Sequence, residues 1–106
     1  MEHLEFRFAA FGEPIAVSPD ETLVGVVGSG NLEVMIERPD LGGDCRAVIE
    51  TSIQGYSATW KQVVQDFFER HKLSNVQVSI NDGGATPAVV MLRLDQALAE
   101  LRKKSA

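Results

Sequence analysis

Cysteine and histidine are scarce in this chain, which restricts the chemistry it can perform by itself. Cys45 is the single cysteine, and the two histidines are His3 and His71. One cysteine cannot form a disulfide within the chain, so a reducing compartment is expected. These three side chains also lack the spacing of a zinc ligand set. We therefore predict no metal site.

Basic residues and long apolar runs are also in short supply. The chain has 10 lysines and arginines against 15 aspartates and glutamates, a formal net charge of −5. That charge repels phosphate backbones and anionic lipid, so neither nucleic acid nor a membrane is an expected partner. No apolar run approaches the roughly 20 residues that cross a bilayer, and the first residues lack the pattern of a secretory signal. A cytoplasmic protein is expected.

The length and the apolar content predict one modest domain. The chain has 106 residues, of which 44% are hydrophobic, and we expect residues 1–106 to form a single unit. A domain of this size buries roughly 65% of the surface of its unfolded chain, which leaves little room for an enclosed active site. This argues against a self-sufficient enzyme.

Strands are predicted wherever apolar and polar residues alternate. Five segments show such a pattern or a short β-branched run, and a connection with a short extended piece at 15–17 is predicted for residues 10–22. The apolar positions of the five segments are Leu4, Phe6 and Phe8; Val24–Val27; Leu32, Val34 and Ile36; Cys45, Ala47, Ile49, Thr51 and Ile53; and Val76, Val78 and Ile80.

A helical period begins at residue 57. Thr59 and Gln62 match a capping box near its start. The apolar residues recur at three- and four-residue intervals, as on the buried side of an amphipathic helix. The positions of this stripe are Trp60, Val63, Val64, Phe67, Phe68 and, at its end, His71.

A second helix is predicted to start at Thr86 and Pro87, an N-cap residue followed by proline at the first helical position. Lys103 and Lys104 suit its C-terminus, although residues 89–92 read alone would also suit a strand. Its apolar stripe is Val90, Leu94, Ala97, Leu98 and Leu101.

The resulting order of elements is ββββαβα. It predicts an α+β fold in two layers, with an antiparallel or mixed sheet of about five strands covered on one face by two helices.

Ser29 is the candidate functional residue. It lies between Gly28 and Gly30 in a predicted hairpin connection that also contains Asn31. Glycine lacks a side chain and tolerates positive φ, so such a turn can present a hydroxyl to another molecule. The same residues are also ordinary turn formers, and a hairpin with an incidental serine remains an alternative.

The sequence around Ser29 does not match the motifs of a catalytic serine or of a nucleotide-binding loop. Val27 and Asn31 occupy positions where a G-x-S-x-G nucleophile motif needs glycine. The Gly-Lys-Ser/Thr ending of a phosphate-binding loop is absent, and Glu33 stands where a dinucleotide fingerprint needs its last glycine. A Ser29, Asp66 and His71 triad is conceivable but unfavoured, because the last two point in different directions on the predicted helix.

Two further features each have a plain reading. Cys45 begins an alternating strand, where a lone cysteine is more typical of a core residue than of a nucleophile. Asp82, Gly83 and Gly84 precede the second helix, and its free N–H groups would make this the one corner suited to an anion. A turn and a cap explain that corner equally well.

Three segments are informative in combination: VGVVGSGNLEV (24–34), TSIQGYSATWKQVVQDFFERH (51–71) and INDGGATPAVVMLRLDQAL (80–98). Together they resemble the acyl-carrier (delta) subunit of bacterial malonate decarboxylase. The likeness runs over nearly the whole chain. A weaker likeness to the acyl-carrier (gamma) subunit of citrate lyase covers the serine loop and the stretch from Gly84 to Val90.

The resemblance implies a non-catalytic phosphoprotein of malonate catabolism. Its serine, here Ser29, would carry a 2'-(5''-phosphoribosyl)-3'-dephospho-CoA arm in phosphodiester linkage, with acetyl or malonyl held on the arm as a thioester. The implied partners are the acyl-carrier transferase and decarboxylase subunits of the complex, a malonyl transferase and the prosthetic-group transferase. Asn31 stands where the family usually has aspartate, and Gly83 where a bulky residue is common.

Three alternatives stay open at this point. One is the citrate lyase carrier, and another is an interaction module that docks through its hairpin and carries nothing. The third, a small thiol or serine hydrolase, would require activity from this chain alone.

Overall fold

The computed structural model describes residues 1–12, 24–29 and 31–105, with side chains for 1–12 and 31–102. The elements follow the order β1 (Glu2–Phe8), β2 (Val24–Ser29), β3 (Leu32–Glu37), β4 (Cys45–Thr51), α1 (Ser57–Arg70), β5 (Val76–Asp82) and α2 (Pro87–Ser105). The α+β class, two helices and a mixed sheet are confirmed. The predicted connection at 10–22, with its extended piece at 15–17, falls mostly outside the described residues.

The strands form one sheet in the order β1-β4-β5-β3-β2. β4 and β5 run parallel, joined through α1, while every other neighbouring pair is antiparallel. A parallel pair needs such a crossover, because a tight hairpin only joins antiparallel strands. This arrangement places β1 and β2 at the two edges of the sheet.

The core lies between the sheet and the helices. Residues of β3, β4 and β5 alternate between fully buried and partly exposed positions, as in a sheet with one covered face. The apolar faces of the two helices pack against this covered face, and Phe67, Phe68 and Leu94 are wholly buried. α2 packs over β2 and β3. All five apolar positions of the predicted α2 stripe are buried, including Val90, so residues 89–92 are helical.

Three local predictions about α1 and β4 are wrong. α1 begins at Ser57 with Tyr56 at its N-cap and no side-chain cap hydrogen bond, so Thr59 lies inside the helix and makes no capping box. His71 follows the helix as its C-cap residue. β4 ends at Thr51, and Ile53 lies beyond it with 42% exposure, because the sheet pairing stops there.

The α2 start is confirmed. Pro87 is the first helical residue, and Thr86 Oγ1 accepts a hydrogen bond from Val89 N at 3.4 Å. None of the described helices is both long and apolar enough to cross a bilayer.

Candidate functional site

Ser29 is the last residue of edge strand β2. Its partner across the ladder is Leu32, the first residue of β3, and Gly28 pairs with Glu33. Gly28 and Ser29 were predicted in the connection but belong to the strand, because the ladder continues to this last pair. Only Gly30, which lies outside the described residues, and Asn31 separate the two strands. Two-residue connections of this composition are typical of β-hairpins.

The strand register aligns Ser29 with residues of the other strands. Leu32 pairs with Asp82 of β5, which in turn pairs with Thr51 of β4. Ser29 therefore lies in one row with Leu32, Asp82 and Thr51, and we call this the hairpin end of the sheet. The opposite end, where Phe8, Cys45 and Val76 form a row, is called the loop end.

Asn31 joins the hairpin to the connection between β5 and α2. Gly83 N donates to Asn31 O at 2.6 Å, and Asn31 Nδ2 donates to Gly83 O at 3.4 Å. A Cβ on Gly83 would lie 3.1 Å from Asn31 Cβ and 3.3 Å from Asn31 O. The two positions at which the resemblance predicted other residues, 31 and 83, are thus in direct contact, and a bulky residue at 83 requires a shift of the hairpin.

Asp82 organises the same end of the sheet. Its side chain is buried, and its carboxylate accepts hydrogen bonds from Thr51 Oγ1 at 2.9 Å and from Ala85 N at 2.8 Å. The corner before α2 was considered as an anion site, but here a carboxylate of the chain itself takes up the Ala85 N–H. Asp82 therefore joins β5 to β4 and to the connection that leads into α2.

A cavity of about 410 Å³ opens beside this row. It lies between the connection after β4, the first turns of α1 and the start of α2. Asp82 and Gly84 belong to its lining, which is otherwise mostly apolar. The apolar residues include Ile53, Tyr56, Trp60, Val63, Ala85 and Val90.

Gly84 connects the cavity to the hairpin. It has a positive φ of 116°, and a Cβ there would lie 3.8 Å from Asn31 Nδ2 and 3.9 Å from Ile53 Cδ1. Asn31 and Ile53 thus flank the same glycine. No local pattern predicted this cavity, since its walls come from three separate segments.

Cys45 is a core residue, as its strand position predicted. It is fully buried, and its Sγ donates to Leu73 O at 3.3 Å. Burial raises the pKa of the Cys45 thiol to about 11, so the thiolate that a nucleophile needs is scarce at neutral pH.

The imagined triad residues have other partners. Asp66 accepts a hydrogen bond from Gln62 at 2.7 Å, and His71 Nε2 lies 3.0 Å from Asp95 Oδ1. The His71 ring also packs edge-on against Phe67. Among the described residues, no group of three or more histidine, cysteine, aspartate or glutamate side chains could hold a metal ion.

Comparison with known proteins gives a consistent result. The family model for the malonate decarboxylase delta subunit (MdcD) matches residues 20–101. The malonate decarboxylase acyl carrier protein of Burkholderia cepacia is 56% identical over 101 residues, covering 95% of this chain and 91% of the relative. That of Xanthomonas campestris pv. campestris (strain B100) is 48% identical over 106 residues and covers both chains completely.

A solved structure shows the same fold. A chain in the crystal structure of a Pseudomonas malonate decarboxylase hetero-tetramer in complex with malonate superimposes with a TM-score of 0.73. The two chains are 33% identical, and the match covers 95% of this chain and 99% of the other.

Proposed function

This chain belongs to the malonate decarboxylase delta-subunit family, the acyl carrier subunits of that complex, and on that premise we propose that Ser29 carries the prosthetic arm. The arm is a 2'-(5''-phosphoribosyl)-3'-dephospho-CoA group joined to the Ser29 oxygen through a phosphodiester. When bound, it supplies a terminal thiol on which acetyl or malonyl is held as a thioester.

The position of Ser29 is the observation that supports this proposal. It ends an edge strand immediately before a two-residue connection, and the preceding Gly28 has no side chain to obstruct an approaching enzyme. A bulky group attached at the end of an edge strand leaves the sheet pairing intact. The backbone position of Ser29 therefore allows a group to be attached there.

The chain needs no catalytic residue for this role. A serine hydroxyl is a weak nucleophile at neutral pH, so the attaching transferase supplies the base that removes the Ser29 proton. Once the arm is attached, tethering gives its end a local concentration of the order of millimolar near docked partners. The carrier contributes position, and its partners contribute catalysis.

The proposed partners are the acyl-carrier transferase and decarboxylase subunits, with the malonyl transferase and the prosthetic-group transferase acting on the carrier. Support comes from the solved hetero-tetramer whose chain shares this fold. The formal charge of −5 favours docking onto basic surfaces, where complementary charge improves encounter and register. Because the single cysteine is a buried thiol, a reducing cytoplasm suits this protein.

The test is loading of Ser29→Ala after co-expression with the prosthetic-group transferase. Intact-mass and peptide analysis should show the arm on the unaltered chain and none on Ser29→Ala, with an unchanged thermal unfolding temperature. Ser52→Ala is the matched control, since Ser52 is an exposed serine just beyond the hairpin-end row, and it should load normally.

Two results would contradict the proposal. One is an arm found on another residue while the Ser29 peptide stays unmodified. The other is a complex that decarboxylates malonate normally with Ser29→Ala, which is the behaviour of an interaction module that carries nothing.

A further inference from the structure

The cavity at the hairpin end has walls suited to a small uncharged group. Ile53 and Tyr56 lie at its rim with 42% and 54% exposure, whereas Trp60 and Val90 are buried. Apolar side chains thus surround a space that is open to solvent on one side. A concave apolar site with few polar groups is typical of small-molecule binding.

Ser29 lies within short reach of this space. Adjacent strands are about 4.8 Å apart, and Ser29 is separated from the cavity-lining Asp82 only by Leu32 of the intervening strand β3. The backbone of Asp82 is therefore about 10 Å from that of Ser29. The arm is longer than this distance, so its end can enter by folding back over Asn31 and Gly84.

We propose that this cavity receives the end of the Ser29 arm when that end is a free thiol or an acetyl thioester, and excludes it when it is malonyl. The inference rests on the proposed function, because it takes the arm on Ser29 as given. Its occupant is part of the carrier itself, and a segment of a partner subunit is the competing occupant.

Charge is the basis of the selectivity. Acetyl and thiol groups are small and uncharged, and contact with apolar walls favours them. Malonyl ends in a carboxylate, which loses hydration on entry and meets the buried Asp82 carboxylate. Asp82 already accepts the hydrogen bonds of Ala85 N and Thr51 Oγ1. The other polar side chains of the lining, Tyr56 and Thr59, are neutral hydroxyls, and none of the described lining residues is basic.

The expected consequence is a large difference in occupancy between the two acyl forms. Burying a carboxylate without water or a counter-charge costs more free energy than a tenfold change in occupancy represents. The malonyl form should therefore occupy the cavity at least about tenfold less than the acetyl form. The malonyl end would then stay outside the carrier, accessible to a partner active site.

Trp60 provides the readout, because it is the only tryptophan of the chain and lines the cavity. The full chain is prepared without the arm and with the thiol, acetyl and malonyl forms, each verified by intact mass. NMR should show nuclear Overhauser effects between a ¹³C-labelled acetyl methyl group and the Trp60 ring. Trp60 emission should change with the thiol and acetyl forms and return toward that of the unloaded chain with malonyl.

A matched pair of variants tests the location. Ala85→Leu fills the cavity and should abolish the acetyl contacts with Trp60, while Ala99→Leu places the same bulk on an exposed position of α2 and should preserve them. Thermal unfolding verifies that both variants fold. If Ala85→Leu does not fold, Tyr56→Ala, which removes an exposed rim side chain, should weaken the same contacts.

The outcomes separate the two proposals. An arm that intact mass and peptide analysis place elsewhere than Ser29 overturns the proposed function and this inference with it. Correct loading with no acetyl contact to Trp60, equal contacts for acetyl and malonyl, or a change in Trp60 only when a partner subunit is added overturns this inference alone.

Discussion

The loop end and the hairpin end of the sheet differ in the packing and exposure of their side chains. At the loop end, Asn75 Oδ1 accepts hydrogen bonds from Leu41 N at 3.2 Å and Gly43 N at 2.7 Å, and Phe11 N donates to Leu73 O. Three phenylalanine rings pack beside these bonds: those of Phe8, Phe11 and Phe68 have centroids 5.9 to 6.4 Å apart. At the loop end, these polar groups have hydrogen-bond partners and the aromatic rings are packed against one another.

The hairpin end combines a fixed row with an open surface. Asp82 joins β5 to β4 and to the connection that leads into α2 there, yet Ile53 and Tyr56 remain exposed beside a cavity. A carrier needs its attachment point held in place and its surroundings accessible, and the hairpin end combines these two properties. Substitutions at the loop end should therefore change stability without changing loading, whereas substitutions at the hairpin end should change loading.

Phe68→Ala should produce the largest loss of stability. Phe68 is fully buried and contacts the rings of Phe8, Phe11 and Phe67, so its truncation should cost about 3–5 kcal/mol of unfolding free energy. Chemical denaturation measures this loss. Loading of Ser29 by the folded fraction should match that of the unaltered chain, and slower loading of that fraction would break the division between the two ends.

Asn75→Ala should have the next largest effect. It leaves the buried N–H of Gly43 without its acceptor, which costs about 1–3 kcal/mol. Asn75 also has a positive φ of 54°, where alanine adds a further penalty of about 1 kcal/mol. Asn75→Gly removes the side chain without the backbone strain and should therefore be less destabilising in the same denaturation experiment. Equal losses would exclude a contribution from φ.

Gly83→Ala tests the contact between the hairpin and the connection before α2. The new Cβ would lie 3.1 Å from Asn31 Cβ, and such crowding costs about 1 kcal/mol or more. The displaced hairpin should also slow Ser29 loading, measured by mass spectrometry over time.

The double variant Gly83→Ala with Asn31→Gly should recover part of both losses, because it removes the crowded Cβ of Asn31. Gly42→Ala is the control at the loop end: its φ is 67° with no atom within 4 Å of the added Cβ, so Asn31→Gly should not rescue it. Additive effects in the first pair would mean that the two residues are not coupled.

The smallest effect should come from His3 on the exposed side of β1. Its ring contacts the carboxylates of Glu50 and Glu5, and hydrogen bonding to Glu50, then to Glu5, raises the pKa of His3 above its ordinary value of 6.5. The protonated form is therefore favoured by folding. Its stabilisation is fully present below pH 6.5 and is lost as the pH rises through the raised pKa.

His3→Gln should flatten this dependence. The difference in unfolding temperature between the two chains should be largest at pH 6 and small at pH 9. NMR titration of the His3 ring checks the direction of the shift, and a pKa at or below 6.5 would contradict it.

Much of the architecture was predictable from local pattern. The buried stripe of α2, its start at Thr86 and Pro87, and the alternation in β3, β4 and β5 all follow from the spacing of apolar residues. The predictions that were wrong concern the ends of helices and strands. Thr59 matched a capping box but lies inside α1, and Ile53 continued an alternation after the sheet pairing had stopped.

The candidate site was likewise predictable in part. Ser29 and its glycines were identified from composition and from resemblance to a family, and the family itself is confirmed. The contact between Asn31 and Gly83 and the role of Asp82 were not predicted. Asp82 was recognised only as part of a turn or of a corner suited to an anion, because its partner Thr51 lies on a distant strand, although Ala85 is only three positions away.

The sequence by itself determined which residues face the core and where the helices lie, since these depend on neighbours within a few positions, and it singled out Ser29 as the candidate for modification. Only the tertiary structure decided that β4 lies parallel to β5 and that β3 separates β5 from β2. That order places Ser29 in one row with Asp82, 53 positions later, which lines a cavity formed by three segments. Pairing between distant strands depends on how the whole chain buries its apolar faces, and local periodicity does not encode it.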